Sequence, residues 1–295
     1  MSTSRASLFA GFRLAVALSF VSSLGFLASA PAALAANQSV SLDVPYVPTP
    51  PDVVNRMLET AQVGPEDFVI DLGSGDGRIA IAAVKNHGAK GAMGVDIDPK
   101  RIEEARENAH TAGVADKVEF RNQNLFDTDF SQATVLTMYL LPDVNVSLRP
   151  KILQLKPGTR VVSHAFDMGE WESDVFERVD GRSVHLWIVP AQVEGRWKIE
   201  GPDGAMELDL AQRFQHVAGT AHDADGSTRP VVGSLNGEII DFVVGEGDAA
   251  KRYTGSVRGT AMQASAGAAD GPALKGAEAS AGAASPVADW KGARL

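Results

Sequence analysis

The chain is predicted to be an α/β protein, a seven-stranded doubly wound sheet followed by a small antiparallel β-domain. Three features of the sequence predict this. Apolar runs and helix-forming segments alternate between residues 67 and 190, the order that builds a mainly parallel sheet with helices on its faces. Runs such as Ala133 to Leu140 are apolar on both faces, as strands covered on two sides are. After Val193 the pattern changes to strict alternation with period two, the mark of half-buried antiparallel strands.

Thr49-Pro50-Pro51-Asp52 reads as a helix start, with Thr49 as cap and Pro50 in the first turn. Val53, Met57, Leu58 and Ala61 then recur at helical spacing. Strand 67–72, helix 77–87, strand 91–97, helix 99–112, strands 117–122 and 133–140, helix 143–155 and strand 159–166 follow in order. Asp98 and Pro99 suit the cap and first position of the helix that Gly113 ends. Val175–Val179 and Ser183–Pro190 are expected to close the sheet as an antiparallel hairpin.

In the second domain the alternating segments are Trp197–Glu200, Met206–Leu210, Phe214–Val217, Val231–Leu235 and Glu238–Val244. Asn236-Gly237 is a hairpin signal between the last two, and Tyr253–Met262 adds one more strand. Together they predict a small sheet or barrel. Residues 263–288, rich in Ala, Gly and Ser, are expected to be a flexible segment, with Trp290 folding back onto the barrel. The expected divisions are a leader 1–35, an α/β domain 36–192 and a β-domain 193–295.

The leader carries Arg5 and Arg13, an apolar run from Leu14 to Ala30, and an Ala33-Leu34-Ala35 cleavage pattern before Ala36. This is the form of a secretory signal peptide and predicts an exported, periplasmic protein that meets the membrane only in transit. The alternative is a membrane tether with a cytosolic domain, since the run approaches the roughly 20 residues that span a bilayer. The 295 residues contain no cysteine, which excludes disulfides, thiolate catalysis and Cys-ligated zinc. The six histidines show no ligand spacing, so no metal site is expected. A net charge of −10 without a compact basic cluster argues against nucleic acid as a partner.

The most informative stretch is Val69-Ile70-Asp71-Leu72-Gly73-Ser74-Gly75-Asp76-Gly77. A strand ends on an acid, enters three alternate glycines, and leads into a helix. Such a turn lets backbone approach a ligand closely. The spacing excludes G-x-G-x-x-G, because Arg78 stands where the third glycine belongs. It also excludes a phosphate loop, because no Lys-Ser or Lys-Thr pair follows. A carboxylate two residues before the first glycine would repel a pyrophosphate and attract an amino cation. One strand later, Ala92-Met93-Gly94-Val95-Asp96-Ile97-Asp98 ends on Asp96, about 20 residues past the loop, where this kind of fold places the acid that accepts from ribose hydroxyls. Asp98 is the better cap and Asp96 the better ligand.

Asp-x-Gly-x-Gly-x-Gly resembles motif I of the class I S-adenosylmethionine-dependent methyltransferases, which have a Rossmann-like fold. The resemblance implies S-adenosyl-L-methionine as cofactor. It places Asp71 and the Gly73, Ser74, Gly75 and Gly77 loop around the methionine moiety and Asp96 at the ribose, with Ile97 also among the cofactor contacts. Asn124 would meet the adenine amino group, with Leu125 packed on the ring; a polar turn after strand 117–122 is the other reading of Asn124. The Val44–Pro48 stretch and the run from Tyr139 through Arg149, Lys156-Pro157-Gly158 and His164 resemble bacterial relatives of the mitochondrial protein-lysine methyltransferases that modify ATP-synthase c-subunit and adenine-nucleotide translocase. That implies a protein lysine as methyl acceptor. A small-molecule acceptor, or a non-catalytic exported protein that binds an adenosine ligand, are the alternatives. Asn-Pro-Pro-Tyr is absent after the fourth strand, where Tyr139-Leu140-Leu141-Pro142 stands, which speaks against base methylation.

Catalytic candidates are Tyr139, His164 and Asp167, because a lysine amine must lose its proton before it attacks. Each has a plainer reading: Tyr139 as a wall of the adenosine pocket, His164 as a hydrogen-bonded strand-end histidine, Asp167 as a turn cap.

Overall fold

The structure is a computed structural model that describes residues 46–265 and 284–295. The leader and most of the 263–288 segment lie outside the described residues.

The first sheet has the strands β1 (Phe68–Leu72), β2 (Gly91–Asp96), β3 (Val118–Asn122), β4 (Val135–Met138), β5 (Arg160–His164), β6 (Val175–Val179) and β7 (Arg182–Ile188). Their order is β3-β2-β1-β4-β5-β7-β6. β1 to β5 are parallel, while β7 runs antiparallel to both β5 and β6, so the seven-stranded, doubly wound sheet is as expected. The helices are α1 (Pro51–Thr60), α2 (Arg78–Lys85), α3 (Pro99–Ala112) and α4 (Pro142–Ile152). Alternate strand residues feed two cores. Val69, Ala92, Val135 and Val162 pack with α1, α2 and α3 on one face. Ile70, Met93, Leu136 and Val161 pack with Leu148, Ile152, Trp171 and Trp187 on the other. The strand order reverses between β1 and β4, and a crevice opens there at the carboxyl ends.

The second sheet contains β8 (Gly195–Gly201), β9 (Gly204–Arg213), β10 (His216–Asp223), β11 (Thr228–Asn236), β12 (Ile239–Val244), β13 (Lys251–Arg258), β14 (Ala261–Ala264), β15 (Ser285–Val287) and β16 (Lys291–Arg294). The order β12-β11-β10-β9-β8-β16-β14-β13 is closed by pairing of β12 with β13, and β15 adds to β13. This is a barrel with a packed interior: Trp197, Phe242, Tyr253 and Trp290 are buried, and Trp290 meets Phe242 and Tyr253 edge-on. No helix among the described residues is long and apolar enough to cross a membrane.

Several local expectations are corrected. Thr49 does not cap α1; the cap position is Pro50, and the Thr49 hydroxyl goes to His164 instead. The fourth strand is shorter than 133–140, because Tyr139, Leu140 and Leu141 leave the ladder for the crevice wall. Helix α4 stops at Ile152 rather than at residue 155, where the N–H groups of Gln154 and Leu155 turn to the carbonyls of Lys151 and Ile152, three residues back, a tighter turn of the kind that ends helices. Phe214 and Gln215 form a turn between β9 and β10 rather than the start of a strand. Tyr253–Met262 is two strands joined at Gly259-Thr260. β14 and β15 enter the ends of the segment expected to be flexible.

Candidate active site

A cavity of about 300 Å³ lies at the carboxyl ends of β1 to β5, lined by residues from the connections that follow each of these five strands and from the segment before α1. Its floor is the glycine turn. The N–H groups of Gly73 and Ser74 both donate to the Val95 carbonyl at 2.9 Å, which staples the turn to β2. Gly73, Gly75 and Gly77 have φ of +74°, +51° and +81°, a region that disfavours any side chain. A Cβ on Gly77 would stand 2.5 Å from the Phe120 ring.

Asp71 is fully buried in this floor. One carboxylate oxygen accepts from the Thr137 hydroxyl at 2.6 Å, and the other has no hydrogen-bond partner. Burial, and then the nearby charges of Asp96 and Asp76, push its carboxyl up to about 7, against the pull of the Thr137 bond. The Ser74 hydroxyl is likewise buried without a partner. Orphaned buried polar atoms facing a cavity point to a ligand that satisfies them, and an amino cation is the group that a lone buried carboxylate fits.

Asp96 accepts from the Gly75 N–H and the Asp98 N–H, both at 2.9 Å, and its carboxylate lines the cavity beside Ile97. Asp98 caps α3 through the Lys100 N–H. Asn124 and Leu125 also line the cavity. The Asn124 side-chain oxygen is taken by the Phe126 N–H at 2.9 Å, so the residue works as a turn former as well as a wall. These placements suit a nucleoside with an amino-acid tail: Asp71 at the amine, Asp96 at the ribose, and Leu125 and Ile97 against the ring system.

The three catalytic candidates separate. Tyr139 lines the cavity. His164 does not; it is 2% exposed, accepts or donates to the Thr49 hydroxyl at 3.1 Å, and lies beneath Tyr139 with ring centroids 3.9 Å apart. Burial, with the Arg182 charge, lowers its imidazole to about 4, too weak a base for proton removal near neutrality. Asp167 is exposed and outside the cavity, and its carboxylate accepts from the Gly169 N–H as a turn cap.

Sequence reasoning missed the wall made by residues 46–49. The Tyr46 ring covers Gly75, where a Cβ would stand 2.5 Å from Cε2. Burial and then the nearby Asp76 carboxylate raise its phenol above the usual range, and the Arg101 guanidinium lies 4.6 Å from its ring centroid. Arg78 pairs with Asp76 and donates to the Thr49 carbonyl at 2.9 Å. Gln123, Phe126 and Phe166 complete the lining. The glycine at 75 was the available signal, since its bare backbone implies something stacked on it.

Residues 71–175 match a sequence model of the ANTKMT methyltransferase domain. A protein-lysine N-methyltransferase of Saccharolobus islandicus (strain REY15A) is 48% identical over 151 residues, which is 50% of this chain and 94% of that protein. The chain belongs to this methyltransferase family. It is an S-adenosylmethionine-dependent enzyme, and the cavity has the groups to hold that cofactor.

Among other family members, the adenine nucleotide translocase lysine N-methyltransferase of Mus musculus is 34% identical over 132 residues, 44% of this chain and 57% of that protein. The chain thus spans little more than half the length of this mouse relative. A crystal structure of an RNA methyltransferase from Salinibacter ruber with S-adenosyl-L-homocysteine is 54% identical and covers 50% of this chain and 96% of that one, with a TM-score of 0.49.

Proposed function

We propose that this methyltransferase acts on the side-chain amine of a lysine in a protein. The 48% identity to a protein-lysine N-methyltransferase across 94% of that protein carries the reading. The cavity is consistent with it. Asp71, Asp76, Asp96 and Asp98 give the lining an acidic balance against Arg78 and Arg101, which favours a cationic partner. Tyr139 and Phe166, with rings 6.2 Å apart and nearly parallel, offer flat walls along which an alkyl amine can be aligned.

S-adenosylmethionine, when bound, supplies an electrophilic methyl group on a sulfonium. The work left to this chain is orientation, which can supply much of the rate enhancement. Of the three catalytic candidates Tyr139 alone lines the cavity, which supports it as a wall beside the acceptor. We also propose, from the leader, that the mature domain acts after export.

The acceptor is tested with tritiated-methyl S-adenosylmethionine and separated membrane-protein, soluble-protein, RNA and low-mass fractions. Label in protein that hydrolyses to methyl-lysine is expected. Label confined to RNA or to the low-mass fraction overturns the lysine reading.

A further inference from the structure

One wall of the cavity is held from outside the α/β domain. The loop after β5 begins at Ala165, a non-glycine residue at φ +68°, and carries Phe166 into the cavity lining. Five of its carbonyls are held by side chains. Asn145 donates to those of Phe166 at 3.3 Å and Asp167 at 3.1 Å. Arg149 donates to that of Met168 at 2.8 Å, and the Trp187 indole to that of Trp171 at 2.8 Å. The next, that of Glu172, is held by the Gln215 amide at 3.0 Å, and Gln215 belongs to the barrel.

Its neighbour Phe214 reaches further. Phe214 packs against the α/β core on the Trp171 side of the sheet. Its ring stacks on Trp171 at 5.9 Å and 13°, and the Arg149 guanidinium lies 5.2 Å from its centroid. Phe214 itself stands at φ +54°. The turn is anchored on the barrel side as well. The Leu235 N–H donates to the Gln215 carbonyl at 2.7 Å. Gln212 donates to the carbonyls of Ala191 and Phe214 and accepts from the Val193 N–H, tying the interdomain connection to the turn. Left-handed non-glycine residues persist where the surroundings over-determine them, and here two of them, Ala165 and Phe214, end one continuous set of contacts.

We propose that the barrel is a positioning element for the methyltransferase cavity. Phe214 and Gln215 act on the loop Ala165–Glu172, and through it on Phe166. Neither residue lines the cavity; both are positioning residues. The inference rests on the cavity holding S-adenosylmethionine and is independent of the acceptor.

The test uses the full chain as wild type, Phe214→Ala, Phe214→Tyr, Gln215→Ala and Val257→Ala, the last a buried barrel-core position as a control for general stability. S-adenosylhomocysteine affinity is read by calorimetry and amide exchange by mass spectrometry. In Phe214→Ala the amides of 165–172 are expected to exchange about tenfold faster, with the glycine turn unchanged, as local opening predicts. The Kd for S-adenosylhomocysteine is expected to rise about fivefold. Phe214→Tyr keeps both near wild type, and Gln215→Ala shows a smaller change in the same direction. Unchanged affinity with a loosened loop, or the same affinity loss in Val257→Ala, overturns the proposal. A wild-type chain that binds no S-adenosylhomocysteine removes the cofactor itself, a result distinct from failure of the brace.

Discussion

Asp71 ties protonation to ligand binding. Its carboxyl is raised from 3.8 to about 7 by burial and by the charges of Asp96 and Asp76. The folded state therefore holds a proton that the unfolded state has lost between those two values, and Asp71 makes the fold less stable as pH rises through that window. An amino cation at its unpartnered oxygen reverses the preference and favours the ionised form. The affinity for S-adenosylhomocysteine should level off above pH 7 and weaken by up to about tenfold per unit below it. Asp71→Asn should abolish the slope and weaken binding at pH 8 by roughly 10- to 100-fold, the worth of a charge-assisted bond. Calorimetry at pH 6, 7 and 8 checks both, and a flat profile in the wild type rules out this role. Asp71 was legible because an acid ahead of a glycine turn has a specific use. The fate of His164 was not legible, because its partner Thr49 lies 115 residues away and reads locally as a helix cap.

The glycine turn and the helix after it form one unit. Gly77 sits at φ +81° at the cap of α2, and a Cβ there would meet the Phe120 ring at 2.5 and 2.8 Å and Ala105 Cβ at 3.0 Å. The backbone conformation and the rigid neighbours act in the same direction. Gly77→Ala should destabilise the domain by about 2–4 kcal/mol. The melting temperature should fall by several degrees, on the scale of ~2–4 °C per kcal/mol for a chain of this size. A shift within a degree would show that Phe120 and α3 yield freely. A contrasting case is Asn145, buried on α4 with its amide donated to two carbonyls of the loop after β5. Asn145→Leu should cost about 2–3 kcal/mol by leaving those carbonyls unpaired, measured by urea unfolding; a loss below about 0.5 kcal/mol would mean that water replaces the amide. The elements themselves were legible to within a few residues where hydrophobic period and punctuation agreed, as at Asp98-Pro99 and Gly113 for α3. Elements failed to follow the period where the chain leaves a regular ladder for a reason outside the segment. Tyr139 to Leu141 turn into the cavity, and Phe214 is claimed by the core of the other domain.

At the scale of the whole molecule, alternation alone announced a β-domain but not whether it closes. Closure is written in glycines whose cross-strand neighbours come too near for a side chain. A Cβ on Gly219 would stand 2.1 Å from the Asp209 carbonyl oxygen, and one on Gly255 2.2 Å from that of Gln263. Such positions mark tightly coiled strands, but they register only once the pairing is known. The proposed export raises the remaining question at this scale, because S-adenosylmethionine is a cytosolic metabolite and an exported enzyme needs a supply. The leader's two arginines, its apolar run and the Ala33-Leu34-Ala35 pattern favour translocation and cleavage, and a chain without cysteine folds with the same covalent structure on either side of a membrane. Alkaline phosphatase fused after residue 40 should therefore be active in a bacterial host, since that enzyme requires an oxidising compartment, and the mature chain should begin at Ala36 by N-terminal sequencing. An inactive fusion on an uncleaved leader would instead tether the domain on the cytosolic side, where the cofactor is made, and would withdraw the export proposal while leaving the methyltransferase assignment intact.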